Sequence, residues 1–466
     1  MPKPLPGRYN LRTLQIINNN KTLDVLGSFI QEINFYESIY SPTVTGSLVL
    51  TDVENFISSP NGEGFYILGN EIIIFEFELA KYYIQDEDGK WSEGLPNLVR
   101  FVGRITEVKN RGLINDRSQN YELLFTSEEL ILDRNLPFSQ SYSGMKISDM
   151  VNKVLDKLAP LSGRFIQPTK YLYDIIIPYW SPIRAINWLT SRAIPERSDH
   201  HPPMLFFQSF YTYDVISNAE EISDNKNLVD FTGEVSSKFY FCSLDWLTSF
   251  PPRKTLFNRP SNIDDPGTSQ DAIEKYMSFN NVINYNIDTS FDTIQNTNVG
   301  MYTSRLISHD IKTKKWGYSD FTYDSSFPDY KHVEKRTPGK LFHGVTDILG
   351  NNFSDPKYVN SFLMMAGTGT PESPNHLTEI SSGRASRLQS LNYFKIHAKV
   401  FGDGLLEVGD VIKFQIPSPE KDAERGYYEK FYSGNYLISA IHHRFNGIEY
   451  TLDLELCKES LSEEAS

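Results

Sequence analysis

Glu71–Leu79 reads EIIIFEFEL, with Ile73, Phe75, Phe77 and Leu79 on one side of an extended chain and Glu76 and Glu78 on the other. Period-two alternation of this kind predicts a strand with one face on a core and one on water. The pair Gly69-Asn70 sets a turn before it, since both residues tolerate the left-handed conformations that turns need. Upstream, Val44–Asp52 (VTGSLVLTD) follows a turn at Ser41-Pro42. Downstream come Arg100–Lys109 (RFVGRITEVK), a polar Gly/Asn/Asp loop, and Asn120–Ser127 (NYELLFTS). Strand, loop and strand at this spacing predict an antiparallel hairpin with a long tip.

A block near the other end has the same order. Gly409-Asp410 introduces Val411–Ile416 (VIKFQI), as Gly69-Asn70 introduces EIIIFEFEL. Arg104–Val108 (RITEV) then has its counterpart in Leu437–Ile441 (LISAI), and Tyr121–Phe125 (YELLF) in Tyr450–Leu454 (YTLDL). Identities are few, so order and spacing carry the suggestion of a duplication. In the last strand Tyr450, Leu452, Leu454 and Leu456 alternate with Thr451, Asp453, Glu455 and Cys457; in its partner Ile412, Phe414 and Ile416 alternate with Val411, Lys413 and Gln415. Each strand thus has an apolar and a polar side. A continuous polar sheet face is either plain exterior or the wall of a channel, and both readings stay open at this point.

Between these blocks the texture changes after Pro137. Ile147, Met150, Val151, Val154, Leu155 and Leu158 recur at helical spacing up to Pro160. A second helix is expected from Ser181-Pro182, where Ser can cap free amides and Pro fits the first helical position; Pro195 closes it. Strands return at Met204–Phe210 (MLFFQSF) and Lys238–Leu247 (KFYFCSLDWL), divided by an acidic loop at Asn218–Asn227. Ser261–Ala272 and Gly367–Asn375 read as loops, and the stretch from Tyr276 to about Ser390 mixes strand-like pieces with turns. Strands are expected again at Leu391–Val400, Asp410–Ile416, Asn435–Ile441 and Glu449–Cys457.

Composition bounds the function. A chain of 466 residues exceeds what one core usually supports, and 39% apolar with 13% aromatic residues exclude a disordered chain. The net charge of -14, from 59 acidic against 45 basic residues, argues against a broad grip on nucleic acid, which needs clustered Lys and Arg. Cys242 and Cys457 lie far apart, without metal or redox spacing, which excludes a disulfide scaffold and fits synthesis in a reducing cytoplasm. The segment Met1–Gly7 lacks the apolar core of a signal peptide. No stretch approaches the roughly 20 apolar residues of a membrane span, so no membrane insertion by this chain is expected.

Chemistry-bearing motifs are missing. Pro338-Gly339-Lys340 lacks the upstream glycine and downstream hydroxyl of a phosphate loop, Gly367-Thr368-Gly369 has no third glycine, and no Gly-x-Ser-x-Gly elbow occurs. Asp199-His200-His201 and His309-Asp310 lack further metal ligands at readable spacing. His442-His443, read as a strand end, places its rings on opposite faces, so the two cannot readily hold one ion. No enzymatic activity, cofactor or metal is expected.

Several ordered segments resemble the central baseplate hub of contractile-tailed bacteriophages, the T-even-type hub family, which is related in architecture to the type VI secretion spike. They are Trp180-Ser181-Pro182-x-x-Ala185-Ile186-x-Trp188-Leu189 with Arg192-Ala193, Leu205-Phe206-Phe207, and Phe239-Tyr240-Phe241-x-Ser243-Leu244-Asp245-x-Leu247. Further along stand Gly300-Met301-Tyr302-x-Ser304-Arg305 leading to His309-Asp310, then Leu406-x-Val408-Gly409-Asp410 with Ser433-Gly434-x-Tyr436-x-Ile438. The resemblance implies a mainly β (α+β) fold: two tube-like antiparallel β-barrel domains with an inserted helix-containing module. Its expected boundaries are a first barrel over 1–135, the helical insertion over 136–203, a discontinuous second barrel over 204–260 and 389–460, a mixed peripheral domain over 261–388, and a tail over 461–466.

It also implies a homotrimer whose six similar domains form a pseudo-sixfold ring. Such a ring joins a hexameric tail tube or tube-initiator protein to a trimeric spike, with tape-measure, wedge and sheath proteins as further neighbours. DNA would pass through its duct only as cargo, and the finished protein would sit in the virion after assembly in the host cytoplasm. An acidic lining suits a duct, because like charge keeps DNA from sticking. The candidate wall residues are Glu76, Glu78, Asp453 and Glu455. Two other readings stay open: a glycan-binding tail adhesin, and a tail-associated cell-wall hydrolase.

Overall fold

The computed structural model describes residues 7–18, 21–25, 29–53, 65–79, 83–85, 91–93, 98–115, 118–160, 162–197, 201–210, 212–213, 237–257, 280–310, 313–337, 360–365, 377–404, 406–418, 428–429 and 431–462. The loops expected at Asn218–Asn227, Ser261–Ala272 and Gly367–Asn375 lie outside these residues. Among the described residues no helix is long and apolar enough to cross a membrane.

The alternation in EIIIFEFEL is realised as a strand whose Ile73, Phe75 and Phe77 are wholly buried. It is one of nine N-terminal strands: β1 (Tyr9–Asn18), β2 (Lys21–Asp24), β3 (Ile30–Ser38), β4 (Thr45–Asp52), β5 (Ile72–Leu79), β6 (Tyr83–Gln85), β7 (Trp91–Glu93), β8 (Leu98–Asn115) and β9 (Ser118–Ser127). Their antiparallel order is β3-β4-β9-β8-β5-β1-β2, with β6 and β7 paired apart. The expected hairpin is β8–β9, and β8 is longer than the sequence pattern indicates. Phe35 lies at the centre of the core, in edge-to-face contact with Phe75, Phe77, Phe101 and Phe125 at ring separations of 5.1–5.9 Å.

The helical module follows: α1 (Glu128–Asn135), β10 (Phe138–Lys146), α2 (Ile147–Leu158), β11 (Gly163–Ile166), β12 (Leu172–Trp180), α3 (Pro182–Thr190), β13 (Met204–Phe210), β14 (Thr212–Tyr213), β15 (Ser237–Ser243) and α4 (Leu244–Thr248). All six apolar positions predicted for α2 are buried in the module's own core. Lys238–Leu247 departs from its expected strand. Ser243 turns the chain, its hydroxyl accepting the Trp246 N–H, and Leu244–Thr248 becomes a helix.

The segment 204–260, expected in the second barrel, divides. Strand β15 pairs with β13 on one edge and with β11 on the other, in a separate sheet. The strand from this region that joins the C-terminal strands is β16 (Thr255–Phe257), parallel to β22 (Val411–Gln415). The remaining elements are β17 (Val282–Ser290), α5 (Thr293–Asn298), β18 (Thr303–Asp310), β19 (Lys315–Thr322), α6 (Tyr323–Ser326), β20 (Asn360–Met365), α7 (Leu377–Ser390), β21 (Phe394–Phe401), β23 (Gly434–Asn446) and β24 (Glu449–Lys458). Strands β18, β19 and β20 form a small peripheral sheet.

The ladders align the two ends strand for strand. The order β3-β4-β9-β8-β5 corresponds to β17-β21-β24-β23-β22. Finer detail agrees. Asn70 and Gly409 both take left-handed φ, 75° and 82°. Their amides donate to Ile105 O and Ile438 O at 2.7 and 2.8 Å. Glu71 and Asp410, the next residues, each accept a backbone N–H from three residues upstream. A register shift breaks the β8–β9 ladder between Ile105 and Glu107 and the β23–β24 ladder between Ile438 and Ala440. The residue inside each bulge is hydroxylated, and Thr106 and Ser439 bond the matching carbonyls of Leu124 and Glu455. The structural alignment therefore matches Asn70 with Gly409, one residue away from the Gly-for-Gly match read in the sequence.

One strand fuses the two units. β23 pairs along one edge with β24; along the other, its first half pairs with β22 and its second half with β3. The fold is mainly β, as expected. Its described ladders run as one continuous sheet from β17 to β2, and no closed barrel occurs among them.

Candidate functional site

Where β23 passes from one unit to the other, the side of the sheet away from the core carries a polar surface. Arg444 meets Glu32 at 2.8 Å. His442 stacks on Tyr36 at 4.5 Å, and its Nε2 lies 2.7 Å from Asn34 Oδ1 and its Nδ1 3.4 Å from Asp453 Oδ2. The Asn34 amide donates to Ser47. The His442 hydrogen bond holds the Asp453 carboxyl below the ordinary carboxylate range against the opposing effect of partial burial, with Lys399 and Arg444 adding to it. Glu455 accepts from Ser439 Oγ at 2.6 Å and faces Lys395 at 3.3 Å.

Glu76 and Glu78 share the outer side of β5, where Glu76 accepts from Thr13 and faces Arg100 at 3.5 Å, and Glu78 pairs with Arg12 at 2.9 Å. The four candidate wall residues thus fall into two pairs. Five strands lie between β5 and β24 in the sheet order. All four are partly exposed on the polar side; Arg100, Arg12 and Lys395 face Glu76, Glu78 and Glu455, and the His442 ring faces Asp453. Exposed pairs of this kind contribute little stability, about 0–1 kcal/mol each, and their cations can be exchanged for others.

The core side of the same junction is also polar at one point. His443 is buried, with Nε2 3.0 Å from Glu37 Oε1 and Nδ1 2.9 Å from the Tyr450 hydroxyl. Burial, with Asp403 and Glu37 nearby, pushes the Tyr450 phenol well above its usual range. The histidine pair is therefore not at a strand end. It sits inside β23 with its rings on opposite faces, one outward and one buried. Among the described residues no cluster of His, Cys, Asp and Glu could hold a metal ion.

Sequence reasoning missed Glu32, Asn34, Tyr36 and Arg444, and weighed His442 only as a metal ligand. The available signal was β3 itself, where Tyr36 on the polar side and Glu37 on the core side break the alternation, opposite His442 and Ile441 of β23.

Two further polar sets hold the module and the peripheral segments to the second unit. Arg253 and Lys254 reach Asp410 and Asp403 at 3.0 and 2.6 Å, and the Tyr240 hydroxyl donates to Glu407 at 2.7 Å. Beyond them the buried carboxylate of Glu459 takes His332 Nδ1 at 3.0 Å and the Val333 N–H at 3.1 Å, with Arg387 at 3.8 Å. Burial pushes the Glu459 carboxyl up, but the His332 hydrogen bond, Arg387 and the amide outweigh it and hold the group below its ordinary range.

No protein-family model and no curated protein sequence matches the chain. Among solved structures, the tail protein from Neisseria meningitidis MC58 is similar over 97% of this chain and 97% of its own, at 11% identity and a TM-score of 0.49. The 43 kDa tail protein of prophage MuSo2 from Shewanella oneidensis is similar over 96% of this chain and 98% of its own, at 9% identity and a TM-score of 0.48. The Francisella PdpA-VgrG complex aligns with all of this chain and 55% of its own, at 11% identity and a TM-score of 0.46.

Proposed function

We propose that this chain is a structural hub subunit of a contractile phage tail. Three copies form a pseudo-sixfold ring that joins a hexameric tail tube, or its initiator, to a trimeric central spike. The observation that carries this reading is the duplicated strand unit with its matched bulges, fused through β23 into one sheet. Two similar units per chain let a threefold assembly present six similar faces. The polar side of the sheet would then line the duct, with Asp453 and Glu455, and Glu76 and Glu78, as wall residues, and DNA would pass as cargo. The ordered hub-like motifs and the absence of catalytic patterns in the sequence point the same way, to a virion component without enzymatic activity whose neighbours include tape-measure, wedge and sheath proteins.

Light scattering on the full chain, alone and with tube and spike proteins, tests the stoichiometry, and particle images test the threefold ring with a central hole. A stable monomer in every mixture would overturn the reading. The adhesin reading has one observation of its own: Trp316 and Tyr318 are exposed on one side of β19. Binding of the isolated chain to a glycan array would favour it. Clear zones on peptidoglycan zymography would favour the hydrolase.

A further inference from the structure

Two of the chain's five tryptophans stand together where β12 hands over to α3, and each carries an arginine. Trp180 and Trp188 meet edge-to-face at a ring separation of 5.6 Å. The Arg184 guanidinium lies over Trp180 at 4.8 Å, and the Arg192 guanidinium over Trp188 at 3.8 Å. Arg184 and Trp188 are four residues apart on α3 and so share a face. Arg192 joins them through the turn that ends the helix. Its amide donates to Leu189 O, and its Nη1 to Trp188 O and Ser191 Oγ. Among the described residues neither arginine has a carboxylate partner, whereas Arg164 in the same module is paired with Asp156 at 2.8 Å. Burial lowers the Arg192 guanidinium from its usual value, and no carboxylate offsets it. A third cation, Lys157, lies over the ring of Phe138, which stands opposite Trp180 in the β10–β12 ladder.

Tyr179, the residue before Trp180, has a φ of 39° and is 72% exposed. A bulky residue is strained in this left-handed region, where glycine is not. The Tyr179 ring takes no part in the core of the module, so packing within the chain does not offset that strain.

We infer that this corner is a docking surface for an acidic segment of another protein, its carboxylates held by Arg184 and Arg192 and an apolar side chain laid on Tyr179. The inference goes beyond the ring reading above and does not depend on it. Stacking uses the face of a guanidinium and leaves its N–H edges to donate, in a plane already fixed for a carboxylate. Arg184 is exposed and free to do so; Arg192 has its remaining donors. Trp, Tyr and Arg are also the side chains that supply most of the binding energy at protein interfaces. The occupant is a short acidic segment and not a nucleic acid. The net charge of -14 repels a long polyanion, and the few cations here would release few counterions.

The test titrates the full chain into a fluorescein-labelled Glu/Leu peptide, read by polarisation, with a Lys/Leu peptide and a short DNA duplex alongside. The expected result is saturable binding of the acidic peptide alone, weakened by salt. Arg184→Glu, at an exposed position, should weaken it roughly tenfold and leave the urea midpoint unchanged. Tyr179→Gly separates docking from folding. It relieves the left-handed backbone, so the midpoint should hold or rise while peptide affinity falls several-fold. A Tyr179→Gly midpoint that falls with affinity unchanged would make the ring a structural element and overturn the inference. Equal affinity of wild type and Arg184→Glu, or no binding of the acidic peptide, overturns it too. Duplex DNA bound more tightly than the peptide, or self-association in light scattering that Arg184→Glu abolishes, would give the surface to another occupant and equally overturn it.

Discussion

Lys458, at the end of β24, gives the fold a pH dependence that can be worked through from its surroundings. Its side chain is fully buried, and Nζ donates to Ser433 O at 2.9 Å and Phe431 O at 3.3 Å over the ring of Tyr436. Burial lowers its pKa from 10.5 to about 8, against the pull of Glu334, Glu429 and Glu459. The folded pKa of this base lies below its unfolded value, so between the two the unfolded chain binds more protons and stability rises with pH. The full difference is worth roughly 3 kcal/mol at about 1.36 kcal/mol per pKa unit. Below about pH 8 the cost of burying the ammonium is present nearly in full.

Lys458→Met removes the titration and leaves the two carbonyls without their donor, which shifts stability by a constant. The difference between wild type and variant therefore isolates the lysine. It should change by about 2 kcal/mol in favour of the wild type between pH 8 and pH 10. Urea midpoints multiplied by their slopes, at pH 7, 8, 9 and 10, measure it. Parallel curves for the two proteins across that range would refute the reasoning, because they would mean that the ammonium is hydrated in the folded state.

Four other outcomes are expected. Phe35→Ala should cost about 3–5 kcal/mol, since a fully buried ring packed edge-to-face on Phe75, Phe77, Phe101, Phe125 and Phe445 leaves a cavity when it is removed; a loss under 1 kcal/mol in urea unfolding would contradict that packing. Gly46→Ala should cost about 1–3 kcal/mol, because a Cβ there overlaps Asn34 O and the Phe125 ring; an unchanged midpoint would show that β3 and β9 can separate. Arg387→Met should cost about 3–5 kcal/mol by leaving Glu459 buried beside His332 alone. Glu459 is held below its usual range, so its contribution is complete above about pH 4.5 and lost as pH falls through the folded value. Glu459→Gln should flatten the acid limb of thermal stability, and an unaltered limb would count against the network.

Much of the core was legible because side-chain direction along a strand is a local property. EIIIFEFEL, YTLDLEL and the helical spacing of Ile147–Leu158 name their buried residues without reference to any partner. The start at Ser181-Pro182 was legible from the proline at the first helical position, but Ser181 makes no side-chain capping bond, and the Ile183 amide donates instead to Asp133, which arrives from α1. β3 was not, because Asn34 and Glu37 are inward or covered only by virtue of Ser47, His442 and His443, which arrive from other strands. The helix at Leu244–Thr248 was hidden by a run of aromatic and β-forming residues, and the turn at Ser243 rests on one hydroxyl–amide bond.

The sequence by itself determined that the chain is mainly β, that its two ends carry the same strand order, and that no catalytic motif accompanies them. Pairing was decided only in three dimensions. Which edge of β23 meets β3, which bulges correspond, and whether Glu76, Glu78, Asp453 and Glu455 face cations are matters of register between segments hundreds of residues apart. Alternation fixes which way a side chain points along its own strand, whereas a ladder's partner and register depend on backbone hydrogen bonds and cross-strand packing that no single segment encodes.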